Sequence, residues 1–78
     1  MRRVRFTLLT RPGCHLCEEF EEQLLVEFGE RLEVDGVRVD AHPQWLADYG
    51  LRIPVLLSEA GAFVCEVTVD AEAVRRFF

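Results

Sequence analysis

The chain has no lysine and no asparagine, and all nine of its basic residues are arginine. Such usage fits a high-GC or thermophilic source and carries no functional information. No apolar run is long enough to cross a bilayer, so a soluble domain is expected and a membrane partner is not. The net charge is −5 and no basic stripe is present to neutralise phosphates, so a nucleic-acid partner is not expected either. No repeat, low-complexity tract or Pro/Gly-rich linker divides the sequence. With 78 residues there is room for one small domain spanning residues 1–78, whose core is limited to what one sheet and its covering helices bury. Cysteine is scarce. The three residues Cys14, Cys17 and Cys65 are an odd number that does not make a secreted disulfide framework.

The opening "MRRVRFTLLTRPG" begins like a secretory leader, yet its apolar residues alternate with Arg5 and Thr7 and stop at Pro12 and Gly13. It is read as a first strand. Without a secretory segment, a reducing, cytoplasmic setting is expected, in which close thiols serve catalysis, redox sensing or metal binding.

Periodicity supplies the fold. Val4, Phe6 and Leu8 alternate with polar residues, the pattern of a strand with a buried face. From Cys14 to about Arg31 the pattern turns helical. At about 100° per residue, Leu16, Cys17, Phe20, Leu24 and Phe28 form one apolar stripe, with Glu18, Glu19, Glu22 and Glu30 opposite. "LEVDGVRVD" gives a second strand near Val34 to Val39, in which Asp35 and Gly36 could form a turn or bulge. "DAHPQWLADYG" reads as a short helix with Pro43 in its first turn and Gly50 as its stop, its Trp45 and Tyr49 either packing on the sheet or rimming a binding face. "IPVLLS" is a third strand and "EAGA" a hairpin turn. "FVCEVTV" is a fourth strand whose Phe63, Cys65, Val67 and Val69 share one face, and Asp70 caps a final helix through Phe77. The order βαβαββα predicts an α/β domain with a mixed four-stranded sheet. Its first two strands are parallel through a right-handed crossover, and the last two form an antiparallel hairpin.

The stretch "TRPGCHLCEEF" carries the chemistry. Thiol–disulfide exchange needs a thiolate, a second thiol close enough to resolve the mixed disulfide, and access for a partner. Cys14 stands where a loop enters a helix, so the unpaired amides of the first turn and the helix dipole favour its anion and lower its pKa. Arg11 and His15 are placed to add positive charge, while Glu18 and Glu19 oppose it. The wheel sets Cys17 inside the apolar stripe and Cys14 at its edge. Cys14 is therefore the exposed nucleophile and Cys17 the shielded resolving thiol. The same spacing also occurs in zinc sites, and a cluster shared between subunits would use it too, but the further ligands needed would have to come from His15, His42 or Cys65. Cys65 reads as a small core residue and the glutamate series as a solvated helix face.

The order βαβαββα, with "RPGCHLC" after the first strand and "RIPVL" opening the third, resembles the thioredoxin fold, most closely small bacterial glutaredoxin-like proteins, over nearly the whole chain. The resemblance implies a cis peptide bond before Pro54, which sets the backbone of Ile53 beside the reactive sulfur, where it pairs with glutathione or a protein thiol like an added strand. It implies that Arg11 occupies the place of a lysine that meets glutathione, and Asp70 that of an aspartate near the γ-glutamyl group. Two departures stand out. The Gly-Gly pair expected shortly before that aspartate is replaced by Glu66 and Val67, and the spacer is His15-Leu16 in place of Pro-Tyr or Gly-Pro. The expected activity is thiol–disulfide exchange with glutathione or a protein dithiol, by a monomer, with no metal or organic cofactor. The alternative is a non-enzymatic thioredoxin-fold module for protein interaction or metal binding.

Overall fold

The computed structural model describes residues 3–78, so Met1 and Arg2, which open the stretch compared above with a leader, lie outside the described residues. Strand β1 (Val4–Thr10) leads to helix α1 (His15–Phe28), which ends in a 3₁₀ turn over Gly29–Arg31. Strand β2 (Leu32–Arg38) and a second 3₁₀ turn (Val39–Ala41) precede helix α2 (Pro43–Tyr49). Strands β3 (Val55–Ser58) and β4 (Phe63–Glu66) form a hairpin, and helix α3 (Ala71–Arg75) closes the chain. The sheet order is β2-β1-β3-β4. β1 runs parallel to β2 and antiparallel to β3, and β3 runs antiparallel to β4. The βαβαββα order and the mixed sheet are as the periodicity predicts. Among the described residues no helix is long and apolar enough to cross a membrane.

The alternation of β1 and β3 builds a core on each side of the sheet. Phe6, Leu8 and Leu56 face α1 and α3, where Phe20, Leu24, Phe28 and Val74 complete one cluster. Leu9, Val55 and Leu57 point the other way, onto Val39 and the half-buried Trp45 and Tyr49 of α2. A central strand buried on both faces reads as a near-continuous apolar run, which is why "VLLS" shows no alternation. β2 is an edge strand. It carries Glu33, Asp35 and Arg38 at its exposed or half-exposed positions, and its Glu33 pairs with Arg5 directly opposite in register at 3.1 Å. Charges of this kind discourage pairing with a further chain.

Four expectations need correction. Asp35 and Gly36 make no bulge: β2 keeps register with β1 through them, Gly36 opposite Leu8. Leu16 does not join the buried stripe of α1. It is 52 % exposed, because the first turn projects past the sheet and the stripe is covered only from Cys17 onward. The fourth strand does not keep Phe63, Cys65, Val67 and Val69 on one face. A register shift sets Leu56 opposite Cys65 but Leu57 opposite Phe63, leaving Val64 as the extra residue. Val64 and Cys65 therefore both enter the α1 side, while Phe63 stacks on Tyr49 on the other. Val67, at φ 65°, then turns the chain off the sheet. Finally, α3 ends at Arg75, two residues short of Phe77, although Asp70 caps it as expected, accepting from the Ala73 amide at 3.2 Å.

Candidate functional site

The loop between β1 and α1 is built by two residues with opposite conformational demands. The Cys14 amide donates to the Arg11 carbonyl at 3.2 Å, closing a turn with Pro12 second and Gly13 third. Gly13 has φ 72°, the left-handed value that the third position of a type II turn requires, while proline fixes the second. A Cβ on Gly13 would meet no atom within 4 Å, so this glycine is needed for its dihedral angle and not for space. The turn delivers Cys14 as the N-cap of α1. In that place its sulfur accepts the Cys17 amide at 3.1 Å, the bond a serine or aspartate oxygen normally makes.

Cys14 and Cys17 are joined as a disulfide, with Cα atoms 5.2 Å apart. The two sulfurs are not equivalent. Cys14 is half-buried at the helix mouth, whereas Cys17 is only 4 % exposed and belongs to the core. A cavity of about 250 Å³ opens over the pair, lined by Thr10, Arg11, Gly13, Glu18, Glu21 and Gly36. Glu21 and Gly36 escaped the sequence reading. Glu21 is one turn beyond Glu18 and so shares its side of the helix, a signal that i, i+3 spacing would have given.

The remaining predicted site residues are placed as follows. Arg11 lines the cavity, and its Nη2 donates to the Gly50 carbonyl at 2.6 Å, tying the cysteine loop to the end of α2. Its charge also reaches Asp40, whose carboxyl is held below the usual range mainly by hydrogen bonds from Arg38 and to a lesser extent by the charges of Arg38 and Arg11. The Ile53–Pro54 peptide bond is cis. Because Leu9 pairs with Val55 in antiparallel register, Ile53 and Pro54 lie at the same end of the sheet as the end of β1 and the cysteine loop. Pro54 is buried, and its carbonyl accepts the Val67 amide at 2.7 Å. His15 and Asp70 lie outside the cavity lining. His15 is exposed and directs Nε2 toward Glu19 at 3.5 Å, and the Asp70 carboxylate is occupied as the cap of α3. The third thiol, Cys65, is buried, and burial pushes its pKa up, with the nearby Asp70 backbone N–H partly offsetting that rise. Among the described residues no three His, Cys, Asp or Glu side chains gather in a way that would hold a metal ion.

One arrangement was missed altogether. Arg52 grips Glu66 with Nε at 3.1 and 3.2 Å from the two carboxylate oxygens and with Nη2 on Oε1, and its guanidinium lies over the rings of Tyr49 and Phe63. The pair ties the loop before Pro54 to the end of β4. Its residues are far apart in sequence, so no local pattern announces it. The hydrogen bonds from Arg52 hold the Glu66 carboxyl below its ordinary range. Such a group stabilises the fold above the unfolded carboxyl's pKa and loses that contribution as pH falls through its lower, folded value. Glu66→Gln is therefore expected to lower the urea midpoint slightly at pH 7, a difference that closes as the pH drops below about 4. Denaturation series at several pH values check this, and a gap independent of pH would contradict it.

A family model described as Glutaredoxin-like domain (DUF836) matches residues 5–78. The chain belongs to the glutaredoxin-like family. Its fold is thioredoxin-like, and two solved structures are similar to it. The solution NMR structure of protein Ne2328 from Nitrosomonas europaea is 24 % identical, covers all of this chain with 94 % of its own length, and superposes with a TM-score of 0.85. The X-ray structure of protein XcR50 from X. campestris is 30 % identical over 91 % of each chain, with a TM-score of 0.65. A search of curated proteins found no match. At Glu66 and Val67, where the resemblance implies a Gly-Gly pair, the structure has an ion pair and a left-handed valine.

Proposed function

We propose that this glutaredoxin-like domain is a thiol–disulfide oxidoreductase acting through Cys14 and Cys17. The observation that carries this reading is the asymmetry of the pair. The Cys17 amide donates to the Cys14 sulfur at the helix N-terminus, while the Cys17 side chain is in the core. In the reduced state that N–H and the helix dipole favour a Cys14 thiolate. The thiolate attacks one sulfur of a partner disulfide, the partner's S–S bond breaks, and its other sulfur leaves as a thiolate. Cys17 gives up its proton and attacks the Cys14 sulfur, releasing the second partner thiol and leaving the intramolecular disulfide. Two electrons pass from the protein dithiol to the partner disulfide, and a second dithiol, glutathione or a protein, restores the reduced state. Ile53 and cis-Pro54 supply the backbone edge against which the partner chain is held. Arg11 acts at the cavity as an anchored charge, Asp70 by fixing the start of α3, and His15 by tuning the local field together with Glu19. The setting that suits this cycle is a reducing, cytoplasmic one, and it needs neither metal nor organic cofactor.

A single-turnover experiment tests this. Reduced protein, freed of reductant, is mixed with bis(2-hydroxyethyl) disulfide. One disulfide should be consumed per protein, with Cys14 and Cys17 bonded and Cys65 still a thiol. Consumption no faster than by the urea-unfolded chain would overturn the proposal, as would purification under reducing conditions with one zinc or iron bound per cysteine pair.

A further inference from the structure

Beside the cysteine pair runs a second concavity that the cycle above does not use. It is a groove of about 320 Å³ between α1 and the turn following β4, walled by Leu16 and Val67, floored by Phe20 and Val69, and rimmed by Glu19 and Gln23. Both walls are fixed to the redox edge. Leu16 sits between the two cysteines, and Val67 hangs from the Pro54 carbonyl through its amide. Leu16 is 52 % and Val67 42 % exposed, so the walls present apolar surface to water. Val67 does so from φ 65°, a conformation that costs a β-branched residue dearly and glycine nothing. A glycine there would relieve the backbone but remove the wall. The rim carries an acid, Glu19, whose one ion-pair partner among the described residues is the exposed His15 at 3.5 Å, and Glu22 lies one turn further on the same side of the helix.

We propose that this groove is the specificity subsite for a protein partner, taking an aliphatic side chain next to the partner's reacting cysteine, with a basic side chain meeting Glu19. This rests on the thiol–disulfide reading of Cys14 and Cys17 and names its substrate class. Leu16 is about 3 Å along the helix axis from Cys14, and an extended partner advances about 3.3 Å per residue, so a side chain one to three residues from the partner cysteine reaches the groove. Apolar walls favour the aliphatic group, and the acidic rim selects the cation beside it. Glutathione has no aliphatic side chain to offer and is anionic, so the groove gives it nothing and the rim repels it.

The test compares symmetric disulfides of four thiols: a peptide with Leu and Arg near its cysteine, the same peptide with Ser and Asp there, glutathione, and 2-hydroxyethanethiol. Each rate constant for oxidation of the reduced protein is divided by that for dithiothreitol, which removes intrinsic reactivity. The Leu/Arg peptide should exceed both the Ser/Asp peptide and glutathione by about tenfold or more. In both Glu19→Lys and Leu16→Ser the ratio of the Leu/Arg peptide to the Ser/Asp peptide should fall several-fold. Equal normalised rates for the two peptides, or a faster glutathione disulfide, would overturn the subsite while a reduced hydroxyethyl disulfide kept the redox reading intact. If none of the four is reduced, both fall together.

Discussion

Cys17→Ser is expected to stop the protein at a mixed disulfide, whereas Cys14→Ser is expected not to react at all. The contrast follows from where the two sulfurs sit. Cys14 is at the mouth of α1 and borders the cavity, with an amide directed at its sulfur, so it can meet a partner and carry charge as it does so. Cys17 lines the same cavity but is only 4 % exposed, within reach of Cys14 and too buried for a partner chain to approach. Without Cys17 the first exchange still proceeds, and nothing nearby can resolve it. Cys65 is buried on β4, and its raised pKa keeps it a thiol. Intact mass after incubation with a small disulfide should show nearly stoichiometric adduct on Cys17→Ser, none on Cys14→Ser, and only the internal disulfide on the parent chain. Equal adduct on both variants would mean that the sulfurs are interchangeable.

The second large effect concerns the fold that holds this loop. Phe6 is fully buried at the middle of β1, pairs in register with Val34 and Ser58, and meets the rings of Phe77 and Phe78 edge-on at 6.1 and 6.4 Å. Phe6→Ala opens a cavity that the strand cannot collapse into, and such truncations cost about 3–5 kcal/mol. At roughly 0.05–0.15 kcal/mol per residue, a chain of 78 residues has only about 4–12 kcal/mol in total. Urea denaturation followed by circular dichroism should therefore show the variant largely or wholly unfolded without denaturant at the lower end of that range, and with a much reduced midpoint at the upper. A loss below about 1 kcal/mol would mean that the α1 side of the sheet is not the main core.

Much of this architecture was legible because its signals are local. Alternation in β1, the helical stripe from Cys17 to Phe28, Pro43 at the start of α2 and Asp70 at the start of α3 each express backbone or burial requirements within a few residues. The cysteine pair was legible for the same reason, since a helix start and a wheel position distinguish the two sulfurs. What was not legible depends on distant neighbours. Leu16 fits the stripe by angle, and only the end of the sheet decides that nothing covers it. The extra residue at Val64 is set by how β4 meets β3, and the left-handed Val67 by its hydrogen bond to Pro54. The Arg52–Glu66 pair spans two segments that only the hairpin brings together. The cis bond before Pro54 came from resemblance, since the dipeptide itself does not select the isomer.

The most direct measurement is the pH dependence of alkylation of the reduced, folded protein, with the modified residue located by mass spectrometry. Cys14 should be labelled first, with a midpoint below the ordinary thiol value of about 8.5. Cys17 should follow far more slowly, and Cys65 should react only on unfolding. Faster labelling of Cys17, or a Cys14 midpoint at or above the ordinary value, would contradict the assignment of Cys14 as the activated nucleophile.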